Sequence, residues 1–110
     1  MKGTHLGEFE ELVLLTVAVL YDNAYGVAVQ EEIRQRSGRK PSISTIHSTL
    51  HRLQQKGFVD SRYDGATHKR GGRRKLLFTV TMAGENAINN NRELREGLWK
   101  DIPKLAFRYN

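Results

Sequence analysis

The sequence predicts a mainly α chain with a small β-hairpin, an α+β fold. Three observations carry this expectation. Apolar residues recur at helical spacing in three segments before Gly57. The period then shortens to two strand-like runs. A fourth helical segment follows Thr81. At 110 residues the chain has the length of one domain, with residues 1–80 as the body and residues 81–110 as a C-terminal helix in the same compact unit.

The first helix is expected over residues 6–20, where Phe9, Leu12, Val13, Thr16, Val17 and Leu20 share helical spacing. Glu8, Glu10 and Glu11 sit near its start, where the helix dipole favours acids. Asp22-Asn23 breaks it. The second helix, over residues 25–36, places Val29 and Ile33 one turn apart and stops at Ser37-Gly38. The third opens at Lys40-Pro41-Ser42, with Ser42 or Ser44 as cap. Its apolar stripe is Ile43, Ile46, Leu50 and Leu53, and Lys56-Gly57 ends it. Residues 58–63 and 75–80 read as strands joined by a long glycine-containing loop that carries His68, Lys69, Arg70, Arg73 and Arg74. Thr81 reads as the cap of a fourth helix to about Lys100. Pro103 interrupts it or starts a short final turn.

Composition narrows the function. The chain has no cysteine, which excludes a disulfide scaffold, a thiolate nucleophile and a Cys-based zinc finger. Net charge is +6, and its distribution is uneven. Residues 34–75 hold twelve Lys/Arg and two acids, whereas the rest of the chain is net acidic. A basic middle between acidic ends predicts a face that seeks polyanions. The opening Met1-Lys2-Gly3-Thr4-His5 has no apolar run, and residues 12–20 make about half of a membrane span. The expectation is a cytoplasmic protein with no membrane partner.

The third helix is the most informative segment. Opposite its apolar stripe lie Ser44, Thr45, His47, Ser48, His51, Arg52 and Gln55, and no carboxylate occurs from Arg34 to Val59. Hydroxyls, imidazoles, glutamine and arginine without acids suit contact with phosphates and base edges. A helix built only for solubility normally mixes Glu with its Lys and Arg. The second and third helices, with their short connection, form a helix-turn-helix pattern, in which the second member enters the major groove of double-stranded DNA. Ser44, Thr45, His47, Ser48 and Arg52 are expected in or beside that groove, and Lys56, Lys69, Arg70, Arg73 and Arg74 on phosphates.

Taken together, these segments resemble the PadR-like transcriptional regulators. The resemblance rests on Leu6-Gly7-Glu8-Phe9-Glu10-Glu11-Leu12-Val13-Leu14-Leu15 and on Asn23-Ala24-Tyr25-Gly26-Val27. It continues in residues 50–59, in Arg70-Gly71-Gly72-Arg73-Arg74-Lys75 and in Thr81-Met82-Ala83-Gly84. It implies a winged helix-turn-helix that binds a palindromic operator as a homodimer, usually as a repressor, with the last helix forming the dimer. The length is similar to that of the short-tailed members, which have a single C-terminal helix. Two positions depart from the family pattern: His47 stands where members often have tyrosine, and Leu77-Phe78 where many have two aromatics.

Trp99 is the single tryptophan. It either anchors against the first helix or lines a dimer seam with Leu94, Leu98, Ile102 and Leu105. In the second case the resemblance implies paired indoles that stack on a planar aromatic effector. No cofactor and no metal are expected. His47 and His51 share a helical face, but acidic or Cys partners at ligand spacing are lacking. No nucleophile elbow surrounds Ser42, Ser44 or Ser48, and the glycines are not a nucleotide loop, so the chain is not expected to be an enzyme. Two alternatives compete with a sequence-specific regulator. A protein-interaction module predicts apolar residues exposed on the third helix. A nonspecific nucleic-acid binder predicts lysine-rich charge, whereas this chain has 11 Arg to 7 Lys.

Overall fold

The computed structural model describes residues 5–64 and 75–107. Its elements are α1 (Glu8–Val19), α2 (Gly26–Ser37), α3 (Ile43–Gln55), β1 (Val59–Asp64), β2 (Lys75–Val80), α4 (Met82–Lys100) and a short 3-10 turn at Lys104–Ala106. The expected class and element order are borne out. The loop residues His68, Lys69, Arg70, Arg73 and Arg74 lie outside the described residues.

Local chemistry sets the boundaries. α2 ends at Gly38, whose φ of 76° is the left-handed conformation that glycine tolerates best, and its N–H returns to the Arg34 carbonyl at 2.9 Å. Of the two serine candidates, Ser42 caps α3: its Oγ accepts from the Thr45 N–H at 3.1 Å. Thr81 caps α4 by accepting from the Gly84 N–H at 3.0 Å, and its hydroxyl also donates to the Gly57 carbonyl at 2.6 Å. Gly84 lets α4 approach the chain at Phe58. A Cβ there would lie 2.3 Å from the Phe58 carbonyl oxygen. Thr81 and Gly84 therefore weld α4 to the α3–β1 junction.

The core sits between α1, α2, α3 and the near end of the hairpin. Val13, Leu14, Val17, Val29, Ile33, Ile46, Leu50, Leu53 and Val59 are its buried centre. β1 and β2 pair antiparallel from Val59↔Val80 to Asp64↔Lys75. The outer edge of β2 also meets residues 24 and 25: the Phe78 N–H donates to the Ala24 carbonyl at 3.0 Å, and Tyr25 bridges Leu77.

Three expectations about faces change. Leu14, absent from the expected stripe of α1, is fully buried. On α3, Ile43 surfaces at the helix start, and Thr49 takes its place in the core with its hydroxyl donating to the Thr45 carbonyl at 2.9 Å. Trp99 does not anchor against α1. It is 68% exposed, as are Leu94 (63%) and Leu98 (62%), on a helix of which only Gly84 is buried. α4 stops at Lys100, and Pro103 starts the short final turn, which returns Phe107 to Trp99 with ring centroids 6.4 Å apart.

Candidate nucleic-acid interface

The outward face of α3 follows from its buried one. With Ile46, Thr49, Leu50 and Leu53 inside, the 3.6-residue period turns Ser44, Ser48, His51 and Gln55 into one exposed strip. Thr45 and Arg52 flank the strip on one side and His47 on the other. The Thr45 hydroxyl sits 3.0 Å from the capping Ser42 Oγ, which in turn lies 3.2 Å from Ser44 Oγ. The His47 ring rests over the start of α2, where glycine makes room: a Cβ on Gly26 would lie 2.6 Å from the imidazole. No acid lies on the helix.

Sequence reasoning places His51 and Gln55 on the polar face of α3 but assigns the groove to Ser44, Thr45, His47, Ser48 and Arg52 without them. Their spacing from Ser44, at seven and eleven residues, is the signal that carries them onto the same strip.

Arg52 and Lys56 have a further role that local patterns do not reveal. Both bond to Glu10 of α1, which is buried. Arg52 Nε donates to Glu10 Oε2 at 3.1 Å, and Lys56 Nζ donates to Oε1 at 2.7 Å. The Gly7 N–H donates to the same Oε1 at 2.9 Å. Burial alone would raise the Glu10 pKa. The hydrogen bonds from Lys56, Gly7 and Arg52, with the charge of Lys56, outweigh it and hold the pKa at about 2. Lys56 also donates to the His5 carbonyl at 2.7 Å. Lys56, expected on a phosphate, is thus held by α1 and by residue 5 in this structure. Its side chain is only 22% exposed, and its ammonium locks α3 to α1. Arg52, at 51%, keeps an open side.

The turn before α3 is also clamped. Gln30 Nε2 donates to the Pro41 carbonyl at 2.9 Å. Arg39 pairs with Glu8 at 2.8 Å and lies 5.0 Å from the centre of the Phe9 ring. These contacts fix the angle at which α3 leaves α2. At the far end of the hairpin, the Tyr25 hydroxyl donates to the Asp64 carboxylate, and Lys75 Nζ lies 5.6 Å from the Tyr25 ring centre. The bond to Asp64, then burial and the charge of Asp64, raise the Tyr25 pKa above the usual phenol range.

On α4, Arg95, Leu98, Trp99 and Ile102 line a shallow recess of about 180 Å³. That is smaller than the few hundred Å³ typical of a ligand pocket. A larger apolar groove of about 500 Å³ runs between α1 and α4, lined by Leu15, Ala18, Val80, Met82 and Ile88 among others. Among the described residues, no group of three or more His, Asp or Glu could hold a metal ion.

A family model described as the transcriptional regulator PadR-like family matches residues 14–90. Solved structures share the fold at low identity. A PadR family transcription regulator from Clostridium difficile aligns with a TM-score of 0.68 at 23% identity, covering 86% of this chain and 93% of that one. One from Eggerthella lenta aligns at 0.69 and 21% identity, covering 93% and 88%. Bacillus subtilis PadR, solved in complex with operator DNA, aligns at 0.61 and 18% identity, covering 76% of this chain and 46% of that one. No curated protein matches significantly.

Proposed function

The chain belongs to the PadR-like family of transcriptional regulators, and from that premise we propose that it is a sequence-specific DNA-binding repressor that acts as a homodimer on a palindromic operator. The observation that carries this reading is the acid-free strip Ser44, Ser48, His51 and Gln55 on α3. Its hydroxyls, imidazole and carboxamide offer both donors and acceptors to base edges, and Gln is suited to bidentate contact with adenine. Thr45, His47 and the open side of Arg52 border the strip and serve the same groove or its phosphates. The exposed start of α3 adds a helix dipole that favours a phosphate. Lys69, Arg70, Arg73 and Arg74 of the loop supply further backbone contacts in this reading. The operator complex of Bacillus subtilis PadR is a precedent for this use of the fold.

Dimerisation is supported by the apolar side chains that α4 leaves uncovered. Leu94, Leu98 and Trp99 are exposed on the helix, and Leu105 follows them. With the half-buried Ile102 they form a seam for a second copy. A flat aromatic effector stacking on Trp99 would need a second wall, because the recess around it is small. The partner subunit supplies that wall in this reading, and binding there releases DNA by changing the spacing of the two α3 helices. A regulator of this kind works in the cytoplasm, and no described helix is long and apolar enough to cross a membrane.

The test is anisotropy of labelled duplex DNA across a salt series, paired with sedimentation of the free protein. The reading expects a dimer whose affinity falls steeply with salt, as phosphate contacts require. A monomer, or a protein that retains no duplex at low salt, would refute it.

A further inference from the structure

We propose that Tyr25 is a positioning residue for the β1–β2 hairpin, bracing its far end so that the hairpin meets DNA at a fixed angle. This rests on the DNA-binding reading above. The near end of the hairpin needs no brace, because Val59 is fully buried and Phe78 nearly so. The far end is different. Tyr63 is 61% exposed, Lys75 is exposed, and Asp64 and Lys75 are the last pair of the ladder among the described residues. A two-stranded ribbon that leaves the core in this way twists and bends easily, because two strands alone are marginally stable.

Tyr25 reaches this end from the body. Its backbone caps the start of α2 in an extended conformation and bridges Leu77 of β2. Its hydroxyl donates to Asp64, the last residue of β1. Lys75, the first residue of β2, lies against its ring. One side chain therefore contacts both strands where they leave the described fold, and it ties them to the helix that precedes α3. The bond to Asp64 spans 39 residues of sequence and joins the start of α2, the helix before α3, to the end of β1.

The test uses the full chain and duplex DNA. Tyr25→Phe removes the hydroxyl, keeps the ring and leaves the net charge unchanged. The expected result is an affinity loss of about 3- to 10-fold on every duplex alike, a shallower salt slope and a urea midpoint close to that of the unchanged protein. Asp64→Ala gives a second and opposing readout. Removing a negative charge should tighten binding to a polyanion if charge alone acts, whereas loss of the brace weakens it. Asp64→Asn retains an acceptor and should bind at least as well as the unchanged protein. The double variant Tyr25→Phe/Asp64→Ala should bind no worse than the weaker single one, since both remove one contact. Unchanged affinity in Tyr25→Phe, or tighter binding in Asp64→Ala, overturns the brace and leaves the DNA reading standing. If the unchanged protein binds no duplex, both fall.

Discussion

Glu10 offers the sharpest test of how α3 is held. Its carboxylate accepts from Gly7, Lys56 and Arg52 and has a pKa of about 2 instead of the usual 4.5. That difference corresponds to about 3 kcal/mol of stability at neutral pH. Arg52 is half exposed, so solvent screens part of the interaction. Glu10→Gln is expected to cost about 2–3 kcal/mol, because it also turns one end of the group into a donor facing Lys56 or Arg52. In urea, at fixed protein concentration, this lowers the midpoint by about 1–2 M. The sign with pH follows from the depressed pKa. The contribution is complete above about pH 4.5 and disappears as pH falls through about 2. The gap between Glu10→Gln and the unchanged protein should therefore close over that window. Equal midpoints at pH 7, or a gap that persists undiminished at pH 2, would refute the role assigned to this cluster.

Gly84→Ala forces a methyl to within 2.3 Å of the Phe58 carbonyl oxygen and should destabilise by about 1–3 kcal/mol in the same urea assay. Ser42→Ala removes the cap of α3 and should cost about 1 kcal/mol, with a matching rise in amide exchange at Thr45. Leu98→Glu places a charge on the exposed seam of α4. Sedimentation should report a folded monomer, with a loss of duplex affinity that raising the protein concentration partly restores. Planar aromatic compounds should quench the fluorescence of Trp99 in the dimer and not in Leu98→Glu.

Local signals in the sequence were enough for the element order. Ser42, Gly38, Gly57 and Thr81 act within one turn of chain, so their capping and turn roles follow from residue type and spacing. The face of α1 was harder to place. Residues 12–15 are Leu-Val-Leu-Leu, and a run that is apolar all round does not say which side is buried. Leu14 lies in the core, whereas Leu15 is 40% exposed beside the α1–α4 groove. At the candidate site, the polar strip of α3 could be read because its period is local. The pairing of Lys56 with Glu10 could not, because 46 residues separate them and a basic residue after a recognition helix reads equally well as a phosphate contact. The Tyr25–Asp64 bond escaped for the same reason.

The central claim is that α3 reads a defined base sequence from each of two subunits. Selection of bound molecules from a random duplex pool, at physiological salt, tests it most directly. The account predicts enrichment of an inverted repeat with half-sites about one helical turn apart, and a changed consensus when Gln55→Ala is selected in the same way. A bound pool with no enriched sequence, or a consensus that Gln55→Ala, Ser44→Ala and Ser48→Ala each leave the same as that of the unchanged protein, would contradict it.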